Sequence, residues 1–249
     1  MNLTKKGKII ISLGALAVVI GAGTPLVVSK LAESSAVKLT LLNNAGIMIE
    51  FQDSRIYIDP IDLNEEYENL PADGILITHD HGDHYQPDVI EMLQKEDTIN
   101  VFPEIMEAEI SLFDGIGVVP EESLMIGNIT ISTFYMYTGS SHPQESNYTS
   151  YIIDINGFTI FHAGDSYNLY EYYDLEGEID VAMLPLGPGC QTMADADIIS
   201  ALSRIQPTYF IPIHYAEDAD ETFLSTYRTE LNDYKVVHLS YFSSHRFWI

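Results

Sequence analysis

Four runs of apolar, mostly β-branched or aromatic residues in this chain each lead into a histidine or an aspartate. "ILIT" (Ile75 to Thr78) runs into His79, Ile129 to Tyr137 is followed by His142, Phe158 to Phe161 by Asp165, and Tyr209 to Ile213 by His214. Runs of this length and composition read as strands. In open α/β sheets the carboxyl ends of strands gather at one edge, where loops build a site. The pattern therefore favours a fold that brings four sequence-distant loops together.

Other segments fill in the same picture. β-type patterning covers "VKLTLLNNAGIMIEF" from Val37, with a turn at Asn43 to Gly46, and continues in "RIYIDP", Tyr151 to Ile155, Val181 to Leu184 and "VVHL" from Val236. Asn156 and Gly157 form a two-residue hairpin turn. Apolar residues at three- and four-residue spacing predict helices in "PDVIEMLQ" from Pro87 and "DADIISALSRI" from Asp195. The chain reads as α/β.

The first of the four loops is the densest. His79-x-His81-x-Asp83-His84 holds three of the eight histidines. Imidazole nitrogen and carboxylate oxygen are good ligands for zinc and similar divalent ions, and alternate positions of an extended loop point two histidines the same way. Asp83 and His84 are then free to face a second ion.

Charge narrows the partners. The chain carries 11 basic and 37 acidic residues, a net −26, and Lys5, Lys6, Lys8 and Lys30 all precede the first acidic residue, Glu33. From residue 31 onward seven basic residues face 37 acidic ones, or −30. Nucleic acid is excluded as a partner because its recognition needs a basic footprint.

The N-terminus has a lysine-bearing head and then about twenty uncharged, mostly apolar residues from Ile9 to Val28, a length that can span a bilayer. "SSA", ending at Ala36, also offers a small-x-small cleavage site. Residues 1–36 are thus expected to be a signal peptide or membrane anchor with a linker, and 37–249 a folded domain outside the cytoplasm, anchored or secreted. Cys190 is the only cysteine, so neither an intrachain disulfide nor an N-terminal lipid-attachment cysteine is present.

With these residues assembled, the chain resembles the metallo-β-lactamase-fold hydrolases, whose H-x-H-x-D-H hallmark stands here as "HDHGDH". It is most similar to the ascorbate-6-phosphate lactonase-like branch, through "HPQE" from His142, "HAGDS" from His162, "PLGPGCQTM" from Pro185 and "PIHY" from Pro212. The resemblance implies a four-layer αββα sandwich. It also implies that His79, His81 and His142 hold one metal, and Asp83, His84 and His214 the other, with Asp165 bridging. The carboxylates Asp83 and Asp165 are the catalytic candidates. Ser166, where threonine is common, and Pro188 with Cys190 in a loop usually rich in glycine depart from the family and bear on the substrate pocket.

Two divalent ions, zinc or manganese with iron as a further option, would share a hydroxide aimed at a small ester, lactone or phosphoester. A phospholipid phosphodiesterase at the membrane surface and a non-catalytic metal-binding surface module are the competing readings. A β-lactamase proper is disfavoured, because the second-site cysteine of the best-known zinc subclass has no counterpart. His162 is expected beside the ligands, His238 and His245 in structural roles, and the tyrosines of "YNLYEYYD" in packing or a lid.

Overall fold

Strands that are apolar at every position need cover on both faces. Such are β4 (Gly74–Leu76), β11 (Val181–Pro185) and, Tyr209 apart, β12 (Tyr209–Ile213), and they lie inside two sheets. The computed structural model describes residues 35–187, 192–216 and 218–249. Ile9 to Val28, Pro188 and Cys190 lie outside the described residues.

Among the described residues the first sheet has seven strands in the order β14-β1-β2-β3-β4-β5-β6. These are β1 (Ala36–Leu41), β2 (Ile47–Phe51), β3 (Ser54–Ile58), β4, β5 (Ile99–Pro103), β6 (Ile116–Val118) and, from the far end of the chain, β14 (Ser244–Trp248). The second sheet runs β13-β12-β11-β10-β9-β8-β7, with β7 (Ser123–Ile126), β8 (Ile129–Tyr135), β9 (Thr149–Ile155), β10 (Phe158–His162) and β13 (Lys235–Val236). In the first sheet β14, β1, β2 and β3 pair antiparallel and β3 to β6 parallel, and in the second β7 to β10 pair antiparallel and β10 to β13 parallel. Asn156 and Gly157, at φ 55° and 87°, make the left-handed turn that closes the β9–β10 hairpin.

Side chains alternate across each strand, so successive residues enter different layers. Leu76 packs between the sheets, while Ile75 and Ile77 pack with Val89, Ile90 and Leu93 of helix α1 (Pro87–Leu93). Val181 and Met183 face inward, whereas Ala182 and Leu184 meet Ile198, Leu202 and Ile205 of helix α3 (Asp195–Ile205). Helix α2 (Glu107–Leu112) joins the first outer layer, and α4 (Ala219–Thr226) puts Phe223 into the second. Three apolar layers separate four structural ones: the architecture is αββα.

The α3 helix shows its local logic plainly. Asp195 and Asp197 sit in its positive first turn and Arg204 in its last. It stops at Gln206, whose left-handed backbone (φ 53°) lets the amide bond to the Leu202 carbonyl.

Some expected elements are trimmed. The run Ile129 to Tyr137 leaves the sheet after Tyr135, and only Val236 of "VVHL" lies in a strand, because β13 is a two-residue edge on β12.

Candidate metal centre

The four loops meet. His79, His81, Asp83 and His84 follow β4, His142 follows β8, Asp165 follows β10 and His214 follows β12, all at one end of the two sheets. Their ligand atoms form two groups. His142 Nε2 lies 3.2 Å from both His79 Nε2 and His81 Nδ1. On the other side, His214 Nε2 is 3.3 Å from Asp83 Oδ2, and His84 Nε2 is 3.8 Å from the same oxygen.

Asp165 stands between them. Its Oδ1 lies 3.1 Å from His84 Nε2 and 3.4 Å from His214 Nε2, and its Oδ2 lies 3.7 Å from His142 Nε2 and 3.9 Å from His79 Nε2. One oxygen therefore faces each group. The "HAGDS" turn that carries Asp165 depends on Gly164, at φ 55°, where a Cβ would fall 2.6 Å from Met136 Sδ.

The imidazole protons are held from behind. Thr78 Oγ1 donates to Asp59 Oδ2 at 2.6 Å, so it accepts from His79 Nδ1 at 2.9 Å. Asp59 Oδ2 also accepts from His84 Nδ1 at 2.8 Å, and Thr138 Oγ1 lies 3.0 Å from His142 Nδ1. With a proton on Nδ1, each ring turns an Nε2 lone pair toward the centre. Asn44 ties the loop down by donating to the Asp83 carbonyl at 2.9 Å, while its own carbonyl accepts the His214 amide.

The electrostatics favour neutral imidazoles at His79 and His142 and ionised carboxylates at Asp83 and Asp165. Burial, then the neighbouring imidazoles, holds His79 well below the usual histidine range, and burial brings His142 down to about 4. Burial also opposes charge on His84, but Asp165 and Asp59 outweigh it and raise this group. The hydrogen bond from His214 keeps Asp83 ionised far below the ordinary carboxylate value. Burial disfavours the Asp165 carboxylate as well, yet the histidines, His84 foremost, hold its pKa down.

Both Asp165 oxygens and His84 Nε2 are buried without a hydrogen-bond partner. Each such group costs about 1–3 kcal/mol, and more when charged. A divalent ion on either side of Asp165 would satisfy the carboxylate and the inward lone pairs together. The donor set fits a two-metal site, with nitrogen and oxygen ligands suited to zinc, manganese or iron.

All seven sequence-predicted ligands are thus brought together. His162 is buried next to them but is directed elsewhere, its Nε2 donating to the Ala45 carbonyl at 2.8 Å and its Nδ1 accepting from the Gly164 amide at 3.2 Å. His238 bonds Asp220 at 2.5 Å, and the His245 ring lies 4.7 Å from that of Phe247. Of the tyrosine segment, Tyr172 is buried against Phe161, whereas Tyr170 and Tyr173 are exposed. Sequence reasoning missed Asp59. The available signal was an aspartate directly after the β3 run in "RIYIDP", the same placement that marked the other ligands.

Known proteins resemble this chain in sequence and in fold. Residues 38–214 match the beta-lactamase superfamily domain. A UPF0173 metal-dependent hydrolase of Thermococcus onnurineus is 31% identical over 195 residues, covering 72% of this chain and 84% of its own length. A metallo hydrolase from the archaeon Ignicoccus hospitalis is similar in structure at a TM-score of 0.71 and 23% identity, over 85% of this chain and 98% of its own. A metallo-beta-lactamase fold protein from Bacillus subtilis matches at a TM-score of 0.71 and 12% identity, over 85% and 99%. The chain belongs to the metallo-β-lactamase superfamily, with metal-dependent hydrolases among its relatives.

Proposed function

We propose that this chain is an extracytoplasmic metal-dependent hydrolase of a small ester, lactone or phosphoester, held at the membrane by its N-terminal segment. The observation that carries the hydrolytic reading is the buried Asp165 carboxylate, with both oxygens unpartnered and one directed at each histidine group. Two divalent ions bound there supply Lewis acidity, which acidifies a water and polarises a carbonyl or phosphoryl oxygen.

The chain's own residues do the rest. Asp59 and Thr78 keep the protons of His84 and His79 on Nδ1, so their Nε2 atoms stay available, and Thr138 holds His142 through its Nδ1. Asp165 and Asp83 supply negative charge inside the site, and Asn44 keeps Asp83 beside His214. No serine or cysteine nucleophile is needed.

Retention of the N-terminal segment is favoured by the first strand. A cut after Ala36 would remove the Ser35 carbonyl, which accepts from the Ile249 amide at 3.0 Å, and Ala36 itself, which pairs with Trp248.

Elemental analysis of the purified full chain, with a panel of esters, lactones and phosphoesters, tests the activity. About two ions per chain are expected, and Asp165→Ala or His81→Ala should abolish turnover of any substrate found. Full activity in both variants would overturn the reading. Recovery of the chain from the growth medium rather than from carbonate-washed membranes would overturn retention.

A further inference from the structure

We infer that the outer face of the β14–β1–β2 edge is the surface that meets the lipid headgroups, which turns the metal centre away from the bilayer. This rests on the membrane attachment proposed above, and it adds an orientation.

The first ground is where the chain emerges. Val28 ends the apolar stretch, and the six residues 29–34 separate it from Ser35, which is fastened to the C-terminus through the Ile249 amide. Six residues reach about 20 Å at full extension. The corner formed by Ser35, Ala36 and Trp248 therefore stays close to any bilayer that the segment enters.

The second ground is what that corner displays. Residues directly opposite in register share a face, so Arg246, Lys38, Glu50 and Arg55 form one row across β14, β1, β2 and β3. Lys38 and Arg55 both bind Glu50, at 2.6 and 3.1 Å, and Arg246 has no ion pair among the described residues. Three of the seven basic residues that follow residue 31 thus share one face of an otherwise acidic body. Beyond the row lies Trp248, 64% exposed, with Ile249 also exposed. An exposed tryptophan beside arginine and lysine is the combination that sits at headgroup depth.

The third ground is direction. β1 and β3 run the same way, since both are antiparallel to β2, and β3 is parallel to β4. His79 to His84 follow the end of β4, so Ala36 and Trp248 lie at the opposite end of the sheet, roughly 17 Å away along the strand. A membrane seated on Trp248 leaves the metal centre open to soluble substrates and out of reach of the lipids of that membrane.

Trp248 is the only tryptophan, so intrinsic emission reports on this position alone. The full chain is reconstituted into phosphatidylcholine and phosphatidylglycerol vesicles, with and without a lipid carrying a shallow nitroxide quencher, and attachment is read separately by flotation. The expected result is flotation with emission lowered about twofold or more by the nitroxide lipid. Arg246→Glu should float equally and recover most of the emission. Flotation with unquenched Trp248 overturns the orientation and leaves attachment standing. A chain that fails to float overturns both.

Discussion

Asp59 and His84, 25 residues apart in sequence, are joined at 2.8 Å through Asp59 Oδ2 and His84 Nδ1, both groups being fully buried. That bond orients the imidazole whose Nε2 lies 3.1 Å from Asp165. Asparagine at 59 would keep the size and tolerate the φ of 47°. Its amide nitrogen, however, would face the Thr78 hydroxyl and His84 Nδ1, two donors that now share one carboxylate oxygen. Asp59→Asn should lower metal affinity about 10- to 100-fold. Titration against a competing chelator measures this, and an unchanged affinity would remove Asp59 from the site.

His162 separates packing from ligation. His162→Leu leaves the Ala45 carbonyl and the Gly164 amide unpaired in a buried place. The expected cost is about 2–3 kcal/mol in chemical denaturation, with metal content per chain unchanged. Loss of one ion per chain would make His162 a ligand.

Gly164→Ala tests the turn beneath Asp165. The added methyl would approach Met136 Sδ at 2.6 Å and Thr78 Cβ at 3.1 Å on a left-handed backbone. Overpacking of this kind costs about 1–3 kcal/mol, and displacement of Thr78 also disturbs His79. Both the denaturation midpoint and the metal content should fall, and a variant with both intact would show that the turn has slack.

Glu50 gives a pH dependence far from the metal centre. Burial opposes its charge, but hydrogen bonds from Lys38 and Arg55 outweigh this and hold its pKa below the ordinary 4.5. A carboxylate depressed on folding adds stability above its unfolded pKa and loses it as pH falls through the folded value. Because these side chains are partly exposed, the contribution is at most about 1 kcal/mol. Glu50→Gln should therefore be less stable than the parent at neutral pH, with the gap closing under acid. A gap that widens on acidification would contradict the assignment.

The four loops were legible because each follows a strand-like run of mostly apolar residues, as with Ile75 to Thr78 before His79. Asp59 follows β3 in the same manner, but "IDP" also reads as a strand running into a turn, and only the folded chain brings it to His84. Strand β14 escaped notice because its alternation buries a single residue, Phe247, between exposed Arg246 and Trp248. In "ADETFLST" only Phe223 and Asp220 are buried, too little periodicity to announce helix α4. Tyr172 could not be told from its neighbours in "YNLYEYYD" until the layer beneath it was known.

The pairing of β14 with β1 also orders events in time. The ribosome makes Ala36 to Leu41 some 200 residues before Ser244 to Trp248 (the bonded Thr40 and Ser244 are 204 apart), yet the two are neighbours in one sheet. Contacts this distant in sequence close slowly. The β1 edge of the first sheet therefore stays unpaired until Ser244 to Trp248 have emerged.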